Sequence, residues 1–146
     1  MDNQIDLSKK VVDRMFDNDP FSQWLGIERV EVGPGQCVLR MLVRDEMLNG
    51  FSIAHGGISY SLADSALAFA SNGHGRMSVS VETSISHTLP VRSGDVLTAT
   101  ATELNRTDKI ALYEVRVTNQ DGKPVAFFKG TVYRTPKSWF PEDESN

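Results

Sequence analysis

The order of residue patterns along the 146-residue chain predicts an α+β fold. Two short strand-like stretches come first, one long apolar stretch suited to a helix follows, and four more strand-like stretches complete the chain. This order is typical of a fold in which helices cover one face of an antiparallel sheet. The length of the chain predicts a single domain, residues 1–146.

The first predicted element is a short amphipathic helix over about residues 8–17. Its apolar side chains recur at helical spacing, Asp6 is a suitable N-cap, and the Asp19-Pro20 step ends the pattern. The aromatic segment that follows, residues 21–26, has two interpretations. It packs in a core or an interface, or it lines a binding pocket.

Six strands are predicted from alternating patterns and turn signals. Gly33-Pro34-Gly35 separates the first two strands, and Asn119-Gln120-Asp121-Gly122 separates the last two. The acidic segment at about residues 136–146 predicts a flexible tail. The predicted strands are residues 27–32, 36–43, 79–89, 96–104, 110–118 and 125–134.

Composition and charge exclude several classes of protein. The net charge of −4 argues against a nucleic-acid-binding protein, because such proteins carry a basic surface. A single cysteine, Cys37, excludes a disulfide within the chain, and no apolar run approaches the ~20 residues of a membrane span. The polar N-terminus is unlike a secretory signal, so we expect a cytoplasmic protein without a membrane partner.

The long predicted helix carries one carboxylate on an otherwise small and apolar surface. Residues 58–70 contain no proline and one charged residue, Asp64. A helix that is apolar nearly all round is usually buried, and an unpaired charge there is costly. Asp64 therefore caps a neighbouring group, pairs with a lysine or an arginine, faces a solvated seam, or acts in a functional site.

The His55-Gly56-Gly57 stretch lies where this helix should begin. The first turn of a helix has N–H groups without partners and a partial positive charge, and glycine lets a ligand approach the backbone closely. Such a position suits an oxygen that becomes negative during a reaction. A donor site and an acid in one stretch indicate hydrolysis of an activated acyl group.

The spacing between these two groups predicts an oligomer. Gly56 and Asp64 are eight positions apart in the sequence. On a helix this separation is about 12 Å along the axis, so one carbonyl carbon cannot lie within ~3 Å of both. If both act on one substrate, one of them comes from a second copy of the chain, and the site is shared across a homodimer.

Three motifs together resemble the hotdog-fold acyl-CoA thioesterases of the PaaI, or phenylacetate-degradation, type. They are Asn49-Gly50-Phe51, His55-Gly56-Gly57 and Ala63-Asp64-Ser65-Ala66, in the order and spacing of the family. The resemblance extends over about residues 20–135 and implies a sheet wrapped around one central helix. It also implies an acyl-CoA substrate of aryl or phenylacetyl type, no cofactor beyond the coenzyme A of the substrate, and a homotetramer built as a dimer of dimers.

The same resemblance implies roles for individual residues. Asp64 is the nucleophile or general base, and the Gly56 N–H polarises the thioester carbonyl. Asn49, contributed by the subunit opposite Asp64, holds the substrate or the attacking water. His55 shapes the helix entry or contacts the thioester. Two further positions are expected to bind substrate: Gly57 and Ser65.

The phosphates of coenzyme A require cationic contacts. Arg106 and Lys109 are the favoured candidates, because their loop resembles the one in which the family often places basic residues near the nucleotide. One stretch departs from the family pattern. His87-Thr88-Leu89-Pro90 stands where relatives often have an aromatic residue and an arginine before the proline, so contacts there are expected to differ. The other cationic candidates are Arg76, Arg92 and Arg134.

Other reaction chemistries lack their sequence signals. The stretch Gly57-Ile58-Ser59-Tyr60-Ser61 is not the Gly-x-Ser-x-Gly elbow of serine hydrolases. The three histidines do not have the spacing of metal ligands, so no metal site is expected.

Two other functions stay open on the same fold. One is an enoyl-CoA hydratase or dehydratase, in which a histidine and a carboxylate act as an acid–base pair. His55 and Asp64 could form such a pair, although the Asp-x-Asn-Pro-x-His motif of hydratases is absent. The other is a non-catalytic protein that binds acyl-CoA.

Overall fold

The computed structural model of the protein describes residues 2–141, apart from the side chain of Asp2. Its elements confirm the predicted α+β class. The helices are α1 (Asp2–Asp17), α2 (Pro20–Leu25) and α3 (Gly56–Asn72), with a short 3-10 helix at Asp45–Met47. The strands are β1 (Glu28–Gly33), β2 (Gln36–Leu42), β3 (Arg76–His87), β4 (Val96–Arg106), β5 (Ile110–Thr118) and β6 (Pro124–Ser138).

The six strands form one antiparallel sheet in the order β1-β2-β4-β5-β6-β3. The chain leaves β2 near one edge, passes through α3, and enters the sheet again at the other edge as β3. On this path α3 contacts all six strands. The sheet therefore wraps around one central helix, as the hotdog resemblance implies.

Small side chains allow the sheet to lie close to α3. Ala63, Ala66 and Ala70 of the helix are buried completely. Gly130 of β6 lies directly against Leu67, because a Cβ atom at position 130 would come within 2.6 Å of the Leu67 Cδ2 atom. A larger side chain at Gly130 would displace the buried Leu67 side chain, and overpacking of this kind typically costs about 1–3 kcal/mol.

Helix α2 is an element that the sequence interpretation missed. Pro20 ends the pattern of α1, but a proline also suits the first position of a new helix, where its missing N–H has no acceptor. Asp19 caps this helix, since its Oδ1 accepts a hydrogen bond from the Ser22 N–H at 3.0 Å. Phe21 and Trp24 stack with their ring centroids 6.1 Å apart and are 52% and 46% exposed, so neither belongs to the core of a single chain.

Both ends of the chain are more regular than the sequence predicts. Helix α1 begins at Asp2 rather than near residue 8. The prediction of a flexible tail from residue 136 is wrong for its first part, because β6 continues to Ser138 and pairs there with Arg76. The Trp139 indole N–H then donates to Asn72 Oδ1 at 2.8 Å, which fixes the strand end against α3. The acidic residues 142–146 of the predicted tail lie outside the described residues.

Strand β3 forms one edge of the sheet and carries two exposed valines. Val79 and Val81 are 55% and 60% exposed, and the outer hydrogen-bonding side of β3 has no partner strand in the described part of this chain. A long edge strand with exposed apolar side chains is a surface on which another chain can pair. Within residues 2–141, none of the helices combines the length and apolar character needed to cross a membrane.

Candidate active site

The structure separates the predicted site residues into three groups. Asn49, His55, Gly56 and Gly57 lie together around the first turn of α3. Asp64 and Ser65 lie about two turns further along the same helix. Arg106 and Lys109 lie in and beside the β4–β5 connection, near the residues that follow the end of α3.

The first turn of α3 leaves one backbone donor free. His55 is the N-cap, and its Nδ1 atom accepts a hydrogen bond from the Gly57 N–H at 3.3 Å. The Ile58 N–H donates to the His55 carbonyl oxygen at 2.9 Å. Among the described residues, the exposed Gly56 N–H has no acceptor. The positive end of the helix therefore presents the Gly56 N–H to a ligand.

Asn49 lies beside this donor and also forms a tight turn. The Ser52 N–H donates to the Asn49 carbonyl oxygen at 3.0 Å, and the Phe51 N–H donates to Asn49 Oδ1 at 2.9 Å. Ser52 has a φ of 61°, which is uncommon outside glycine and marks a locally constrained loop. The turn engages Asn49 Oδ1, which fixes the orientation of the amide. The NH₂ group of the same side chain is the donor that Asn49 can offer to a ligand.

A cavity of ≈ 350 Å³ opens at this point of the molecule. Asn49, Gly56, Ser59, His87 and Leu89 are among the residues that line it. Its volume falls within the range of about 300–1,000 Å³ that is usual for small-molecule sites. The lining is mainly apolar with a few polar groups, and none of the described residues that form it carries a carboxylate.

Asp64 is half-buried, and its side-chain carboxylate makes no hydrogen bond or ion pair with another residue in the range 2–141. Burial raises the pKa of this carboxyl, and the negative charge of Asp19 raises it further. The next residue is held by α2, because Ser65 Oγ lies 2.8 Å from Ser22 Oγ, which in turn donates to Asp19 Oδ2 at 2.7 Å. Helix α2 therefore fixes the part of α3 that carries the acid.

The predicted cationic residues lie far from the Gly56 cavity of the same chain. Arg106 contacts His74, which follows α3 directly and is 2.8 Å from Glu103 Oε1. Lys109 is exposed in the adjoining loop. This loop is at the C-terminal end of a 17-residue helix that has Gly56 at its N-terminus, a span of about 25 Å.

Two residues of the site were absent from the sequence predictions. His87 reaches the cavity because β3 returns along α3 and ends beside the start of the helix. Asp19 reaches the surroundings of Asp64 because α2 packs against α3. The only sequence signal for His87 was the departure from the family pattern at residues 87–90, and Asp19 had none.

Comparison with known proteins identifies the family. The profile of the thioesterase superfamily matches residues 51–126. The chain belongs to this superfamily. It is 38% identical over 120 residues to the acyl-coenzyme A thioesterase PaaI of Escherichia coli K12, which is 82% of this chain and 86% of that protein.

Solved structures of similar proteins have the same fold. The structure of E. coli PaaI, a protein from the phenylacetic acid degradation operon, matches with a TM-score of 0.89 and 34% identity over 92% of this chain and 97% of that chain. A Streptococcus mutans protein solved with acetyl CoA bound matches with a TM-score of 0.74 and 27% identity over 77% of this chain and 90% of that chain. These similarities confirm the hotdog fold and the PaaI-type resemblance.

Proposed function

We propose that this thioesterase hydrolyses an acyl-CoA to the free acid and coenzyme A. The observation that carries the proposal is the free Gly56 N–H, which faces a cavity at the positive end of α3. The relatives named as acyl-CoA thioesterases, and the S. mutans structure with acetyl CoA, support the same substrate class. The reaction needs water as the second substrate and no further cofactor.

In the proposed mechanism, the thioester oxygen accepts a hydrogen bond from the Gly56 N–H. Asp64 either takes a proton from water, which then attacks the carbonyl carbon, or attacks that carbon itself. A C–O bond forms between the attacking oxygen and the carbonyl carbon, and the thioester carbonyl oxygen becomes negative. The Gly56 N–H therefore stabilises the transition state. The C–S bond then breaks, and the coenzyme A thiolate leaves and takes up a proton. If Asp64 attacks directly, water hydrolyses the resulting anhydride to restore the carboxylate.

The site is proposed to be shared between two chains. Gly56 and Asp64 of one α3 helix are about 12 Å apart along its axis, which is too far for both to act on one carbonyl carbon. A homodimer in which the two β3 edges pair would cover Val79 and Val81 and bring the half-exposed side of each α3 to the other. Each cavity would then receive Asp64 from the opposite chain.

The same pairing gives Arg106 and Lys109 a role in binding the substrate. Strands that pair across a two-fold axis run antiparallel, so the Arg76 end of one β3 would lie near the His87 end of the other. Arg76 donates to Asp108 Oδ1 at 3.1 Å, which places the Arg106 and Lys109 loop beside that end. We propose that these cations hold the coenzyme A phosphates of the neighbouring chain's site.

The dimer is further proposed to assemble into a dimer of dimers. Several large apolar side chains remain exposed on strands β4, β5 and β6. An apolar surface of this kind is suited to contact with a second dimer. The residues concerned are Leu104, Ile110, Phe127 and Tyr133.

The acyl group is proposed to be aryl or phenylacetyl. The stacked, exposed pair Phe21 and Trp24 belongs to the helix that packs beside Asp64, and aromatic side chains suit an aromatic acyl group. Thiol release should be measured with phenylacetyl-CoA, benzoyl-CoA, butyryl-CoA and decanoyl-CoA. Faster release from the first two is expected. Binding of these esters without thiol release would contradict the thioesterase proposal and favour a non-catalytic acyl-CoA protein.

Substitution of Asp19 by asparagine is expected to shift the acid limb of the pH–rate profile to lower pH. Asp64 must be ionised to act, and the charge of Asp19 contributes to its raised pKa. The asparagine keeps a side-chain oxygen that can accept from the Ser22 N–H, so the cap of α2 is retained. The measurement is kcat/KM as a function of pH, which reports ionisations of the free enzyme.

Asp17→Asn, at the end of α1, is the matched control and should leave the acid limb in place. An unchanged acid limb in Asp19→Asn, or a shift to higher pH, would show that Asp19 does not set the ionisation of the catalytic carboxyl.

A further inference from the structure

We propose that His87 is a second hydrogen-bond donor to the thioester oxygen, acting from its Nε2 atom beside the Gly56 N–H. The proposal rests on the thioesterase function and adds a catalytic residue to it. It is drawn from the position of the imidazole ring, from its contact with Ser59, and from the chemistry of the cavity.

The ring of His87 lies directly against the start of α3. A Cβ atom built on Gly56 would lie 3.2 Å from His87 Nε2, 3.6 Å from Cε1 and 3.9 Å from Cδ2. Of these ring atoms, Nε2 is therefore the nearest to the Cβ position of residue 56. Gly56 and His87 line the same cavity, so in this proposal one oxygen atom there accepts from the Gly56 N–H and from His87 Nε2.

Ser59 contacts the other nitrogen of the ring. Its hydroxyl oxygen lies 3.4 Å from His87 Nδ1 and 3.3 Å from the Gly56 carbonyl oxygen. The hydroxyl carries one proton, so Ser59 either donates to Nδ1, or donates to the Gly56 carbonyl oxygen and accepts from Nδ1–H. In the first arrangement the proton of the neutral imidazole is on Nε2, which is the tautomer that the proposal requires. Ser59 is only 4% exposed, so bulk water does not readily replace it as the partner of Nδ1.

The surroundings of His87 favour a donor over a general base. Within residues 2–141 of one chain, no carboxylate lines the cavity. The carboxylate that the proposed dimer brings there, Asp64 of the opposite chain, acts on water or on the carbonyl carbon, so the ring has no further acidic partner to orient it as a base. The ring is exposed to the cavity and accessible to a substrate. A donor at this position stabilises the negative charge that develops on the thioester oxygen, as the Gly56 N–H does.

Three substitutions at one position separate donation from shape. His87→Phe keeps an aromatic ring and removes both nitrogens. In His87→Gln, the amide nitrogen is separated from Cα by the same number of bonds as Nε2 of histidine. In His87→Asn, the amide nitrogen is one bond closer to Cα, at the distance of Nδ1. We expect kcat to fall about 100- to 1,000-fold in the Phe and Asn variants, and to stay within about 5-fold of wild type in the Gln variant.

The test measures kcat for acyl-CoA hydrolysis together with the Kd of a dethia ketone analogue, in which CH₂ replaces the sulfur. A group that acts mainly in the transition state changes kcat and leaves this Kd nearly unchanged. The carbonyl stretch of the bound analogue gives a second readout. Loss of a donor should move it to higher frequency in the Phe and Asn variants but not in the Gln variant.

The outcomes separate this proposal from the proposed function. If the wild type hydrolyses the substrate and the Phe or Asn variant keeps the full wild-type kcat, the role of His87 is overturned and the thioesterase function stands. A parallel loss of kcat, analogue affinity and melting temperature in all three variants would indicate a structural role and would also overturn it. The absence of hydrolysis by the wild type would overturn the proposed function, and with it this inference.

Discussion

Replacement of Asp64 by asparagine is expected to lower kcat for acyl-CoA hydrolysis by about 100- to 10,000-fold, the range for loss of an acid–base group. Asparagine has nearly the same shape but cannot accept a proton from water or attack a carbonyl carbon as a carboxylate does. The Gly56 N–H and the cavity remain, so the Kd of a non-hydrolysable acyl-CoA analogue should change little. Thiol release and analogue binding measure the two quantities separately.

The thermal stability of the Asp64→Asn variant provides the control. The pKa of Asp64 is raised in the folded protein, so its contribution to stability is full below its unfolded pKa and is lost as the pH rises through the folded value. At neutral pH the wild type thus keeps a charge that burial disfavours, and the variant should melt at the same or a higher temperature. Near-normal kcat in a folded Asp64→Asn protein would exclude Asp64 as the general base and as the nucleophile.

Two inactive variants are expected to restore activity when they assemble with each other. One parent is Asp64→Asn. The other carries Asn49→Ala, which removes a side-chain donor, and Gly56→Ala, whose methyl group would lie 3.2 Å from His87 Nε2 and crowd the approach to the backbone N–H. In the proposed dimer, a mixed pair has one site with both defects and one site that is fully wild type. If the chains assort at random after an equimolar mixture is unfolded and refolded, about a quarter of all sites should be intact.

The specific activity of the refolded mixture should therefore approach about a quarter of that of wild type refolded in the same way. Each parent refolded alone is the matched control and should remain inactive. If Asp64, Asn49 and Gly56 of one chain acted together, every site in the mixture would carry a defect. A mixture no more active than its parents would then rule out the shared site.

The sequence was sufficient to predict the fold because the patterns that define it are local. The alternation of strands, the apolar helix 58–70 and the turn at residues 119–122 each follow from neighbouring residues. Helix α2 was missed since Pro20 fits both the end of one helix and the start of the next. The extension of β6 to Ser138 was missed because it depends on pairing with Arg76, a contact between distant parts of the chain.

The candidate site was predictable only in part. The motif around His55 and Gly56 indicated a helix start with a free donor. The structure shows that this donor is the Gly56 N–H, because the Gly57 N–H donates to His55 Nδ1. The contact of His87 with Gly56 depends on the length of β3 and its register against β6, where His87 pairs with Ala126. Residue patterns do not encode that register, so the histidine had no detectable role in the sequence.

In the proposed shared site, the placement of Gly56 and Asp64 on one helix would link ligand binding to assembly. A substrate held by the start of one chain's α3 and by the Asp64 carboxylate of the other chain would contact both chains. It would therefore make all its contacts only in the dimer. By mass action, a ligand at 100 times its Kd stabilises the form that binds it by about 2.7 kcal/mol. Acyl-CoA would thus act as a non-covalent cross-link, and the amount of associated protein in dilute solution would rise and fall with the supply of substrate.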